Sequence, residues 1–118
     1  MRPEWRQYIT GLKQRDKDAK LALSSRRELA MLNAKQASDI LRTKFGATKV
    51  VVFGSVTRDD FSATSDVDIA AWGIPENATF KAMHAVACVS KQIEMNLVDM
   101  HYARDYMIAE IANTGVEI

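Results

Sequence analysis

Apolar positions change period twice along the chain. From Pro3 to about Phe45 they recur at helical spacing: Trp5, Ile9 and Leu12, then Leu29, Leu32 or Asn33, Ala37, Ile40 or Leu41, and Phe45. Pro3 suits a first helical turn, and Gly46 is a stop signal. Between Gln14 and Lys20 only Ala19 is apolar. The region therefore predicts two helices, or one long helix whose N-terminal part leans on something else. At Thr48 the pattern becomes that of strands. Lys49-Val50-Val51-Val52-Phe53 is β-branched and apolar between two glycines, which predicts a buried strand. Asp66 to Trp72 predicts a second strand ending at Gly73, and Ile93 to Asp99 alternates as a half-buried third. A helix is expected from Asn77 or Thr79 to about Lys91 or Gln92, with Phe80, Met83, Ala87 and Val86 or Ser90 inward. A last helix is expected from Tyr102 to about Asn113, with Tyr106, Ile108 or Ala109, and Ile111 or Ala112 inward. This order predicts an α/β (α+β) fold, a small mixed sheet flanked by helices.

Composition narrows the class without redirecting it. The chain has 118 residues, 47% hydrophobic and 26% charged, the balance of one ordinary folded domain rather than a disordered or collagen-like chain. Its single cysteine, Cys88, cannot form an internal bridge. No apolar run approaches the roughly 20 residues that span a bilayer, and the first residues do not read as a signal peptide. A cytoplasmic protein with no membrane association is expected. Charge is unevenly spread. Residues 1–50 hold 12 Lys/Arg against 5 Asp/Glu, and residues 51–118 hold 4 against 10. A basic third can touch nucleic acid or an acidic partner, but a solvated helix face accounts for it more simply.

The chemistry concentrates in the acidic half. Asp66 and Asp68, at i and i+2 of a strand, project from one face about 6.6 Å apart. Hard cations such as Mg²⁺ take carboxylate oxygens, and paired carboxylates can hold two ions. Gly54-Ser55 directly follows the first strand, and Val56-Thr57-Arg58 can begin a helical turn. Glycine there lets backbone approach a ligand, and amides at a helix start favour phosphate oxygens. Ser55 adds a hydroxyl and Arg58 a cation for the same phosphates. Asp99 ends the third strand. Should that strand lie beside the Asp66–Asp68 strand, Asp99 can share metal and orient or deprotonate an attacking hydroxyl.

Gly54-Ser55, ten residues, then Asp66-Val67-Asp68, with Asp99 on a later strand, resembles the DNA polymerase β-type nucleotidyltransferase superfamily. The short length and Ser65-Asp66-Val67-Asp68 resemble its minimal nucleotidyltransferases (MNT), the antitoxins of HEPN/MNT toxin–antitoxin pairs. The resemblance covers roughly residues 30–115. It implies one minimal nucleotidyltransferase domain over 1–118, a catalytic core from 29 to 118 preceded by a helical extension, 1–28. It implies that Gly54, Ser55, Arg58 and Ser65 bind the nucleotide. Asp66, Asp68 and Asp99 would be the catalytic, metal-binding carboxylates, with ATP as substrate and two Mg²⁺ as cofactors. Asp59 departs from the pattern, standing where many relatives have Gly. The implied reaction is transfer of AMP from ATP to a tyrosine of a HEPN ribonuclease toxin, which silences it, with no direct nucleic-acid substrate. A chain this short leaves no second domain to grip an acceptor, which fits a protein acceptor completed by another chain. The alternative is a non-catalytic antitoxin that blocks the toxin by binding, with the N-terminal helices as docking surface.

The remaining candidates have plainer readings. His84 and His101 lack a second ligand at metal spacing. Cys88 sits among Ala85, Val86, Ala87 and Val89 and reads as a buried small residue. Trp72 can stack on a base but reads better as core or partner contact. Gly54-Ser55 is not a Walker loop, because no Gly-Lys-Ser/Thr follows. An aminoglycoside nucleotidyltransferase would need more chain or a dimer to build its acidic drug pocket, and a glycosyltransferase needs far more chain.

Overall fold

The computed structural model describes residues 3–58 and 61–118, with side chains from Lys20 onward. Asp59, and the inward positions Trp5, Ile9 and Leu12, lie outside the residues and side chains so described. Of the two arrangements open at the N-terminus, one holds: a single helix, α1, runs Pro3–Phe45. At 1.5 Å per residue its 43 residues span about 64 Å. Gly46 ends it with a φ of 70°, a conformation glycine adopts without a Cβ penalty. The Ala47 N–H then turns back to the Leu41 carbonyl.

Strands β1 (Lys49–Phe53), β2 (Val67–Trp72), β3 (Met95–Asp99) and β4 (Val116–Glu117) form one sheet in the order β3-β2-β1-β4. β1 pairs antiparallel with β2 and with β4, while β2 and β3 run parallel. A parallel pair needs a crossover, and the helix α2 (Thr79–Ala87) supplies it. Helix α3 (Asp105–Thr114) follows β3.

The sheet is buried on both faces. Val50 and Val52 of β1, Val67, Ile69 and Ala71 of β2, and Met95 and Leu97 of β3 pack with Ala30, Ala34, Ala37 and Leu41 of α1 and with Ala82 and Val86 of α2. The other face is smaller. There Val51, Phe53 and Ala70 meet Ile111 of α3, with Trp72, Val98 and Met100 partly covered. The inward stripe of α1 consists mainly of small residues, so the helix lies close to the sheet, and Leu32 is left exposed. Ser38 and Arg42 of the same helix tie down the chain after β4, both donating to the Ile118 carbonyl oxygen at 3.2 and 2.6 Å.

Two helices match their expected orientation only in part. On α2 Val86 is buried as expected, but its partner is Ala82, whereas Phe80 is 85% exposed and Met83 also faces out. Both stripes have helical spacing. The smaller one lets the helix sit against β3 and α1, and a stripe led by Phe80 would hold it off. α2 also ends at Ala87, several residues early, which leaves Cys88 exposed rather than buried, its Sγ 3.5 Å from His84 Nε2. On α3 the expected Ile111 is the one buried residue, and Tyr106 and Ile108 are exposed. The two-residue β4 carries no alternation long enough to be read from sequence.

Candidate active site

β1 ends where β2 begins its buried run, and the register places Phe53 opposite Asp68. The chain leaves Phe53 through Gly54, whose φ of 83° belongs to the left-handed region, and enters a 3-10 turn over Gly54–Thr57. A side chain at position 54 would meet Asp68: an ideal Cβ falls 2.9 Å from Asp68 Oδ2. The missing β-carbon is therefore what lets the turn lie against the carboxylate. The turn is fastened from several sides. The Gly54 N–H donates to Thr114 Oγ1 at 3.1 Å, and the Thr57 hydroxyl donates to the Gly54 carbonyl at 2.8 Å. From α1, Arg27 donates Nε–H to the Val56 carbonyl (3.1 Å) and an Nη2–H to the Arg58 carbonyl (2.7 Å). Its neighbour Arg26 reaches the carbonyls of Ser65 and Gln92, both at 3.4 Å. The strand-end loops beside Asp66 and Asp68 are thus held by arginines from the helix.

Asp68 is half-buried on the α3 face of the sheet. Asp66 lies one residue before β2, not within it as the sequence suggested, and is near enough for its charge to bear on Asp68. Burial pushes the Asp68 carboxyl above the usual carboxylate range. The amide of Asn96 pulls it back, the negative charges of Asp66 and Glu110 push it further up, and Arg58 opposes them. Glu110, on α3, also lies 3.7 Å from an Nη1 of Arg58. The positive charge expected for phosphates is therefore close to the acids, as the motif requires, and is shared with a carboxylate that the sequence did not single out.

The expected convergence of three acids does not occur. β2 and β3 pair with Asp68 beside Asn96 and Ala71 beside Asp99. Alternation puts Asn96 on the face of Asp68, and its Nδ2–H donates to Asp68 Oδ1 at 3.4 Å. Asp99, three residues on, faces the opposite side with Met95 and Leu97. It is 6% exposed. Its Oδ2 accepts from the Thr79 hydroxyl at 2.7 Å, and its Oδ1 accepts from the His101 N–H at 3.0 Å. Asp99 thus anchors the start of α2 and the turn after β3. The spacing from Asp66 to Asp99 could not reveal this, because the face depends on which residue of β3 stands beside Asp68.

Ser55 is half-buried in the 3-10 turn, next to the acids. Ser65 holds its own loop, its Oγ accepting from the Ser62 N–H at 2.9 Å. Trp72 lies at the far end of β2, with Lys49 Nζ 4.9 Å above its ring. His101 is exposed and 3.3 Å from a Glu76 oxygen, away from Asp68. Among the described residues no three His, Cys, Asp or Glu side chains gather where one ion could sit. The paired carboxylates are hard oxygen donors and fit one divalent cation beside a polyphosphate. A two-ion site built on Asp66, Asp68 and Asp99 does not fit this geometry.

Residues 35–118 match the family model for Polymerase beta, Nucleotidyltransferase. Two solved structures of mutants of the toxin–antitoxin MntA-HpeT have the same fold. At TM-score 0.58 each, they are 17% and 19% identical over 71% of this chain, which corresponds to 70% and 69% of theirs. No curated protein sequence matches the chain.

Proposed function

The chain belongs to the polymerase β nucleotidyltransferase family, and from that premise we propose that it is an antitoxin that transfers AMP from ATP to a tyrosine of a partner HEPN toxin. The observation that carries this reading is the meeting of Gly54-Ser55 with Asp68 at the end of β1. Likeness of fold to MntA-HpeT supports the antitoxin role.

The tyrosine oxygen attacks the α-phosphorus and a new P–O bond forms. The bond from that phosphorus to the oxygen bridging to the β-phosphate breaks, pyrophosphate leaves, and the hydroxyl proton passes to solvent or a base. Such transfer asks mainly for positioning and charge neutralisation. Ser55 and Arg58 bind and orient the phosphates. Asp66 and Asp68 would hold Mg²⁺, which when bound neutralises charge on the phosphate oxygens. Residues 29–118 form the catalytic core, and the extension before it docks the toxin.

The test is mass spectrometry of the partner toxin after incubation with the chain, ATP and Mg²⁺. Addition of one or more AMP units is expected, and its loss in Asp66→Ala/Asp68→Ala. An unmodified toxin that the double variant still inhibits would refute catalysis. A second reading, neutralisation by binding alone, is favoured by one observation: Asp99 is turned away and supplies no base to the site. Inhibition that survives loss of the carboxylates but fails on deleting residues 1–25 would select it.

A further inference from the structure

β2 and β3 bring Asp68 and, in register with it, Asn96 to the α3 face beside Gly54, and Asp66, one residue before β2, is near enough to act on Asp68 by its charge. Two are carboxylates and the third is a neutral amide. Among the described residues no other acid completes a set of three. Glu110 approaches but lies against Arg58. Asp99 is engaged on the opposite face. We propose that Asn96 limits the cradle to a single divalent cation with its nucleotide, and that this limit holds phosphoryl transfer below what the same fold can reach. The inference rests on the nucleotide reading of the cradle given above.

The physical reason is charge count. Affinity of an oxygen site for a divalent cation follows the number of its anionic ligands, and two carboxylates neutralise one such ion. An amide adds no charge. It also cannot accept the proton of an attacking hydroxyl, which a carboxylate at that position can. With its Nδ2–H toward Asp68, Asn96 instead restrains the carboxylate that the Gly54 turn packs against. The position is half-buried in the strand, so an aspartate there keeps the size and β-sheet geometry of the asparagine it replaces.

Asn96→Asp and Asn96→Ala are therefore compared with the unaltered chain by electron paramagnetic resonance, titrating Mn²⁺ with and without a non-hydrolysable ATP analogue. Transfer to the partner toxin is measured in parallel. One nucleotide-dependent Mn²⁺ per chain is expected for the unaltered protein and for Asn96→Ala, and two for Asn96→Asp. Transfer by Asn96→Asp is expected to exceed the unaltered chain by at least about tenfold, a barrier change of about 1.4 kcal/mol. Two ions in the unaltered chain, or one in both it and Asn96→Asp, overturns the proposal while the nucleotide reading stands. Two ions in Asn96→Asp without faster transfer overturns its second half. Folded variants that take up no nucleotide-dependent Mn²⁺ sink the nucleotide reading, and this inference with it. Circular dichroism identifies any variant that has lost its fold, and Asn96→Glu then carries the same test.

Discussion

A β-carbon at position 54 would stand 2.9 Å from Oδ2 of Asp68, so the two residues share space that only glycine leaves open. Gly54→Ala therefore has two expected effects. The positive φ costs the folded state about 1–2 kcal/mol, read as a lower midpoint in urea. The turn must also retreat from the carboxylate, and ATP affinity in the presence of Mg²⁺, measured by calorimetry, should fall by more than the stability loss explains. Full ATP binding in a destabilised Gly54→Ala protein would separate the turn from the site.

Asp68 and Asp99 are both acids beside one another's strands, and their replacement should act in opposite ways. The raised carboxyl of Asp68 means that the folded protein holds its proton more tightly than the unfolded chain does. Its contribution to stability is then fully present below the unfolded value near 3.8 and is lost as pH rises through the folded value. In metal-free buffer at neutral pH, Asp68→Asn should be at least as stable as the unaltered chain, with less loss of stability between acid and neutral pH, yet unable to bind nucleotide with Mg²⁺. Thermal melts across pH, with calorimetry at pH 7, check both halves.

Asp99→Ala should show the reverse. It removes the acceptor of the His101 N–H and leaves the Thr79 hydroxyl only the longer, 3.4 Å bond to the Glu76 carbonyl. The expected cost is about 1–3 kcal/mol of folding stability. Nucleotide affinity, measured below the lowered melting temperature, should stay within about threefold, less than the 1.4 kcal/mol that separates a decade. Loss of binding in a well-folded Asp99→Ala protein would return this residue to the site.

Arg27 offers a test of how the helix serves the loop. Its guanidinium bonds the carbonyls of Val56 and Arg58, and so ties the turn that carries Ser55 and Arg58 to α1. Arg27→Ala is expected to weaken ATP binding roughly tenfold, the value of one charged hydrogen bond. Arg27→Lys should recover only part of this, because one ammonium does not reproduce the planar fork. Equal affinities for all three proteins would reduce Arg27 to a surface residue.

Much of the architecture is legible in the sequence. β1 was legible to the residue, because Lys49–Phe53 is β-branched between two glycines, and β2 and β3 were legible to within two. The same segments set Gly54-Ser55 at a strand end beside a carboxylate pair, but that Gly54 lies against Asp68 follows only from the antiparallel register of β1 and β2. What failed has a common cause. On α2, Phe80 and Ala82 lead stripes of equal periodicity, and only the closeness of β3 and α1 chooses the smaller. At Asp99 the residue type suggested the site, while a parallel register put Asn96 there instead. Period reveals that a residue alternates, but a neighbour's register decides which face it joins. Arg26 and Arg27 were seen only as part of a basic block, since their partners lie on backbone carbonyls far along the chain.

The length of α1 has a hydrodynamic consequence. The molecule measures 68 × 27 × 18 Å. It will tumble end over end far more slowly than it spins about the helix axis, and gel filtration calibrated on spheres will overstate its mass. Amide relaxation in solution should therefore depend on bond direction, with N–H vectors along α1 reporting the slow axis and those across the strands the fast one.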